Sequence, residues 1–329
     1  MITMLVDLVN QRYNAFRIRL ICSIELLLIL VFVFLQFVNR KLNRYMGKFW
    51  NYYASYSIWA QISPAIGKEH WHCDRKRGYS RAKKKEPLVK DLVTVDNTAQ
   101  RIGILAQRGV YEFHQNIQLL SDADGVEKVA QIIDLSQELS EVKERVELIL
   151  HNYFQKPILL DANIKELSRG DESFPEPIPI KYGTRTFGLY AAFDCVLLEP
   201  DNTIHILDFK TGKSNFDLRQ AYVYLVAAKH LYPDQKAIAS FYNLETQTAS
   251  EPIPLSTEAI ESICIELSLV AQKLHQDLHR YKRNPELFDR IFPANPGFPC
   301  QYCVFDTVCE YAASSPTINP SPNIALEAN

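Results

Sequence analysis

The stretch RTFGLYAAFDCVLLEPDNTIHILDFK (185–210) constrains the fold more than any other. Two runs rich in leucine, isoleucine, valine and aromatic residues flank Pro200-Asp201-Asn202, a turn signal, so the segment reads as strands joined by a tight connection. Its surroundings change period. Residues 97–121 and 124–155 carry helical spacing, the second with an acidic, solvated face, and GDESFPEPIP (170–179) is a polar, proline-rich loop. After Lys210 the pattern returns to helix over 215–231, to strand in KAIASFYNL, and to one long helix over 256–284, while residues 46–95 read as irregular or short-helical. Helices, strands, helix, strand, helix predicts an α/β fold: a mixed β-sheet core in the middle, flanked by helices. No internal repeat is visible.

The 329 residues are 47% apolar, enough for one large domain or two modest ones. A net charge of -2 gives no whole-molecule field for a polyanion, so any nucleic-acid contact must come from local patches. LICSIELLLILVFVFLQFV (20–38) is just long enough to span a bilayer as a helix. Arg12, Arg17 and Arg19 precede it and Arg40, Lys41, Arg44 and Lys48 follow, so flanking charge barely decides an orientation. Three readings stand for residues 1–45: a membrane anchor, a buried helix, or an extension from a misassigned start with Met46 as the true beginning. The anchor and the extension are favoured over a core helix.

Chemistry concentrates at the strand ends. Asp194 lies in the first half of the strand stretch and Asp208 near the end of the second, with Lys210 two residues on and therefore on the same face. Two carboxylates there make an oxygen-rich site suited to Mg2+ or Mn2+. A lysine beside such an ion can orient water and offset charge developing on a phosphate. The competing reading, on spacing alone equally good, is a solvent-facing acid–lysine ladder. KTGKS (210–214) is not a phosphate-binding P-loop, because position 207 is leucine where that motif needs glycine. Gly212 instead ends the strand and starts a turn.

Taken together, Asp194, the apolar run into Asp208-Phe209-Lys210-Thr211-Gly212-Lys213, and Gln220-x3-Tyr224 resemble the RecB-type branch of the PD-(D/E)XK nuclease superfamily. Within it the similarity is to CRISPR-associated RecB-like iron–sulfur exonucleases and the AddB nuclease domain, over roughly residues 55–311. The resemblance implies a restriction-endonuclease-like core that hydrolyses DNA phosphodiesters with Mg2+ or Mn2+, on single-stranded DNA or DNA ends. It implies Asp194 and Asp208 as metal ligands, Lys210 as catalytic, and Gln220 and Tyr224 as the supporting motif on the next helix. An upstream helical histidine after a glycine is a further metal ligand in that branch, and Gly109 and His114 in RGVYEFHQ are the match drawn here. Residues 46–312 would then be the nuclease domain, 1–45 the hydrophobic segment and 313–329 a disordered tail. The expected location is cytoplasmic, anchored or free, with any helicase, repair or CRISPR-type partner on another chain. A non-cutting DNA-binding module and a membrane-tethered assembly factor are the alternatives; the full Asp194/Asp208/Lys210 set argues against the first.

The cysteines add a second site. Of seven, Cys300-x2-Cys303-x5-Cys309 cluster near the C-terminus and Cys73 stands far upstream, a pattern of metal or cluster ligation rather than of a secreted disulfide scaffold. A zinc ribbon would show two paired knuckles and only one is here. By the same resemblance Cys73, Cys300, Cys303 and Cys309 bind a [4Fe-4S] cluster; zinc, with His70 or His72, is the alternative. Cys22, Cys195 and Cys264 read as core or membrane residues. RKRGYSRAKKK (75–85) reads as a positive DNA track with Tyr79 available to stack on a base.

Overall fold

The computed structural model describes residues 52–94, 97–212 and 216–312. The hydrophobic segment 20–38, Cys22 and the tail from 313 lie outside the described residues, and among those described no helix is long and apolar enough to cross a membrane.

The chain opens with β1 (Tyr53–Ser55) and three short helices, α1 (Tyr56–Ile62), α2 (Asp74–Arg81) and α3 (Pro87–Thr94). A helical block follows: α4 (Thr98–Gln115), α5 (Gly125–Ile132) and α6 (Ser140–Gln155). α4 starts where the sequence dictates, in a capping box in which Asn97 and Gln100 satisfy each other's backbone N–H groups. The expected helix over 124–155 is instead two. Asp134 adopts a left-handed conformation (φ 57°) and a 3-10 turn at Leu135–Gln137 lets Leu135 bury where a straight helix would expose it.

Strands β2 (Ile164–Leu167), β3 (Ile178–Tyr182), β4 (Arg185–Tyr190), β5 (Cys195–Leu198) and β6 (Ile204–Lys210) come next, then α7 (Leu218–Leu231), β7 (Ala237–Asn243), β8 (Thr248–Ala249), β9 (Ile253–Pro254), α8 (Thr257–Arg283) and α9 (Phe288–Ile291). The stretch 185–198 is not one strand. It breaks at 191–194, leaving β4 in a three-stranded sheet (β1-β4-β3) and β5 in a six-stranded one (β2-β5-β6-β7-β8, with β9 also on β7). β5 and β6 form the antiparallel pair expected around Asn202, which takes φ 68° in the turn. β7 runs parallel to β6 in register from Ile204↔Ala237 to Lys210↔Asn243, with α7 as the crossover.

Strand period 2 divides the core. From β6, Ile204 and Ile206 enter a cluster with α1, α7 and α8, while Leu207 and Phe209 enter a second with α4–α6. Each fully buried side chain of this size contributes about 2 kcal/mol. Gly109 allows the close approach in the second cluster: a Cβ there would stand 2.2 Å from Leu150 Cδ2. A third, small core gathers Tyr79, Val89, Phe288, Ile291, Phe292 and Phe305 beneath the cysteines.

That third core corrects the reading of the basic run. Arg75, Arg77 and Tyr79 are buried, and the Tyr79 hydroxyl donates to Val308 O at 3.0 Å, so the ring offers no face to a base. Arg77, 1% exposed, pairs with Asp74 and, at 2.9 Å, with Asp277, whose other neighbour is Lys273 at 3.1 Å. A buried guanidinium needs such partners on both sides, and here they clamp α2 to α8. Lys76, Lys84 and Lys85 remain exposed.

Candidate active site and cysteine cavity

β6 ends in the acid–lysine pair, on one face as period 2 requires. Asp208 is 2% exposed. Its Oδ1 accepts from Tyr224 Oη at 2.7 Å and Gln220 Nε2 at 2.9 Å; its Oδ2 ion-pairs with Lys210 Nζ without a directed hydrogen bond. Lys210 Nζ also donates to Gln220 Oε1 at 3.0 Å, and Gln220 Nε2 lies 2.6 Å from Tyr224 Oη. Gln220 and Tyr224 reach the same carboxylate because they stand i, i+4 on α7, whose start is fixed by Asp217 accepting from Arg219 N at 3.0 Å. The strand and the Gln/Tyr helix thus form one connected network.

Asp194 stands just before β5, at the break in the strand stretch. As a residue it is only half-buried, but its carboxylate is enclosed: Oδ2 accepts the Phe209 N–H at 2.8 Å, and Gln107 of α4 hydrogen-bonds to it. Burial first, then the charge of Asp208, push its pKa up to about 8, against the opposing pull of Phe209 N–H, Lys210 and Gln107. Burial and the same two carboxylates raise the Tyr224 hydroxyl well above its ordinary value, so it stays a donor. Two enclosed carboxylates, the charge of Asp208 raising the pKa of Asp194, are a donor set a hard divalent cation fits.

The strand end is held from the other side. The Gly212 N–H donates to the Glu245 carboxylate and Gly212 O accepts from Asn243 Nδ2 at 2.6 Å, while Glu245 pairs with Arg145 of α6 at 2.7 Å. Gly212 takes φ 84°, the turn expected of it.

His114 does not join Asp194 and Asp208. Its Nε2 lies 2.6 Å from Tyr153 Oη, and burial lowers its pKa. Seven residues earlier, about 10 Å along the helix axis, Gln107 is the α4 side chain that meets Asp194, and its Nε2 also donates to Ser168 O at 3.3 Å. Sequence reading missed Gln107 and Glu245. The available signal for the first was Gly103, four residues before it, where a Cβ would stand 3.8 Å from Thr211 Oγ1 beside the strand end.

The four cysteines come together. Cys73, Cys300, Cys303 and Cys309 line one cavity of about 240 Å³, with Trp71, Arg75, Lys76, Tyr79 and Phe305 among its walls. Burial chiefly raises the Cys303 thiol, and Cys73 and Cys309 add to the shift; the Phe305 N–H, hydrogen-bonded to the sulfur, and Lys76 oppose it. Neither His70 nor His72 lines the cavity: His70 packs tilted against Trp71 and His72 faces Asp74 at 3.7 Å. Cys195 and Cys264 are buried in the two main clusters. Among the described residues, no three His, Cys, Asp or Glu side chains close on a point as a single-ion site.

No curated protein matches the chain. Among solved structures, the one entitled "Crystal structure of SSO0001" is similar at 14% identity and TM-score 0.28, over 70% of this chain and 94% of that one, a likeness too loose to carry any argument. The family comparison is specific: the model of the PD-(D/E)XK nuclease superfamily matches residues 73–310, from the first cavity cysteine past the last and across the whole Asp194–Tyr224 network, and the chain belongs to that superfamily.

Proposed function

We propose that this protein is a metal-dependent deoxyribonuclease acting as an exonuclease on single-stranded DNA or DNA ends, of the RecB-type branch. The observation that carries the reading is the Asp208–Lys210–Gln220–Tyr224 network facing Asp194 at one end of β6. In the proposal Asp194 and Asp208 hold Mg2+ or Mn2+, which when bound supplies charge for the phosphate and acidifies water. Asp208 is oriented by Tyr224 Oη and Gln220 Nε2. Lys210, steadied by Gln220 Oε1, sits where it can orient a water for in-line attack and offset charge on the phosphate oxygens. Gln107 takes the place assigned to His114, orienting Asp194 rather than ligating the ion. Glu245 and Asn243 fix the turn at Gly212 and so the reach of Lys210.

Cys73, Cys300, Cys303 and Cys309 are proposed to hold a [4Fe-4S] cluster joining the N- and C-terminal ends of residues 46–312. What supports a four-ligand group is that all four cysteines line one cavity while neither His70 nor His72 does. Residues 1–45, as anchor or extension, and a cytoplasmic location with DNA-processing partners complete the proposal.

The test is the purified protein on end-labelled single and double strands with Mg2+, Mn2+ or EDTA. Metal-dependent loss of terminal nucleotides from single strands is expected. Substrates untouched in both metals, by protein that binds them, would replace the nuclease with a DNA-binding module.

A further inference from the structure

Arg75 is 3% exposed and held on three sides. Its Nη1 ion-pairs with Asp289, its guanidinium lies 4.9 Å from the ring centres of Phe288 and of Tyr311, and its backbone N–H donates to Pro293 O at 3.1 Å. One buried nitrogen is left over. Nε is buried and has no hydrogen-bond partner, an omission that is costly if nothing meets it. Arg75 is also a wall of the cavity that Cys73, Cys300, Cys303 and Cys309 line. A fixed cation with a spare buried N–H, in the wall of a four-cysteine cavity, is matched to an anionic, sulfur-bearing group.

We propose that Arg75 is a positioning residue for the group these cysteines hold, its Nε–H donating to a sulfur of that group and its charge favouring the more negative redox state. The inference rests on the iron–sulfur reading. Four thiolates around a cluster carry net negative charge, and each added electron increases it. A buried cation acts at low effective dielectric, whereas Lys76, also at the cavity, is exposed and screened. Asp289, the counter-ion of Arg75, is 59% exposed and so offsets the buried charge only in part. Outer hydrogen bonds and local charge are recognised levers on cluster potentials. Arg75→Met and Asp289→Asn therefore act with opposite sign: the first removes donor and charge, the second unmasks the charge and leaves the donor.

The test uses full-length protein purified without oxygen, analysed for iron and sulfide, then titrated with dithionite while visible absorption is followed. At the wild-type midpoint, the reduced-to-oxidised ratio should fall about tenfold in Arg75→Met, ~59 mV for one electron. It should rise in Asp289→Asn and fall by less in Arg75→Lys, with iron content unchanged. Equal midpoints at full iron loading would overturn the role of Arg75 and leave the cluster assignment standing. Wild-type protein without iron and sulfide would overturn both. If Arg75→Met loses its iron, Asp289→Asn decides alone, and an unmoved midpoint there overturns the inference.

Discussion

Asp194→Asn should stabilise the metal-free protein, although it should abolish activity. In the folded chain the Asp194 pKa stands at about 8, against 3.8 for the free side chain, with burial the largest cause and Asp208 the next. A folded pKa above the unfolded one means that the native state keeps a proton which the unfolded chain gives up. Stability is therefore highest below the unfolded value and is lost as pH rises through the window from about 4 to about 8. At pH 7 the span above 3.8 is about 3 pH units, which at ~1.4 kcal/mol per unit sets a ceiling near 4 kcal/mol. Asparagine removes that charge and its repulsion with Asp208, yet its amide oxygen can still accept from Phe209 N–H. A gain of about 1–3 kcal/mol at pH 8 is expected. Urea unfolding of both proteins in EDTA, from pH 4.5 to 8.5, reads it: the curves should converge at the acid end and diverge toward the alkaline end. Adding Mg2+ should then stabilise the wild type, by about 2.7 kcal/mol at a hundred times Kd, and leave the variant where it was. A variant less stable than wild type at pH 8 without metal, or a difference that ignores pH, would refute the reasoning.

Three further outcomes are expected. Lys210→Ala should slow cleavage by about 10²–10³-fold while metal and DNA binding, read by calorimetry and anisotropy, persist, because Asp194 and Asp208 are intact. Gln107→Ala should weaken metal binding about 10–100-fold, and Gly170→Ala should do so in the same direction, since its Cβ would stand 2.7 Å from Gln107 Cδ; His114→Ala should leave the isotherm unmoved. Gly109→Ala should cost about 1–3 kcal/mol in thermal unfolding through its collision with Leu150, with metal affinity unchanged in the folded fraction.

Much of this molecule was legible in one dimension, where local rules govern. The period of β6 put Asp208 and Lys210 on one face, the family resemblance put Gln220 and Tyr224 on the helix that meets it, and apolar spacing marked the start of α4 and both ends of α8 closely. Other choices depended on which surfaces meet. Whether 185–198 is one strand or two is invisible in its β propensity, because the break at 191–194 answers to two sheets that must each be completed. A cation run and a tyrosine read as a DNA track until Phe288 and Phe292 close over Arg75, Arg77 and Tyr79, since charge alone does not reveal a buried partner such as Asp277. Gln107 and His114 lie on the same helix with equally plain neighbours. What separates them is how α4 is docked: Gly109 against Leu150 allows its close approach, and in that position Gln107 reaches Asp194 while His114 turns to Tyr153.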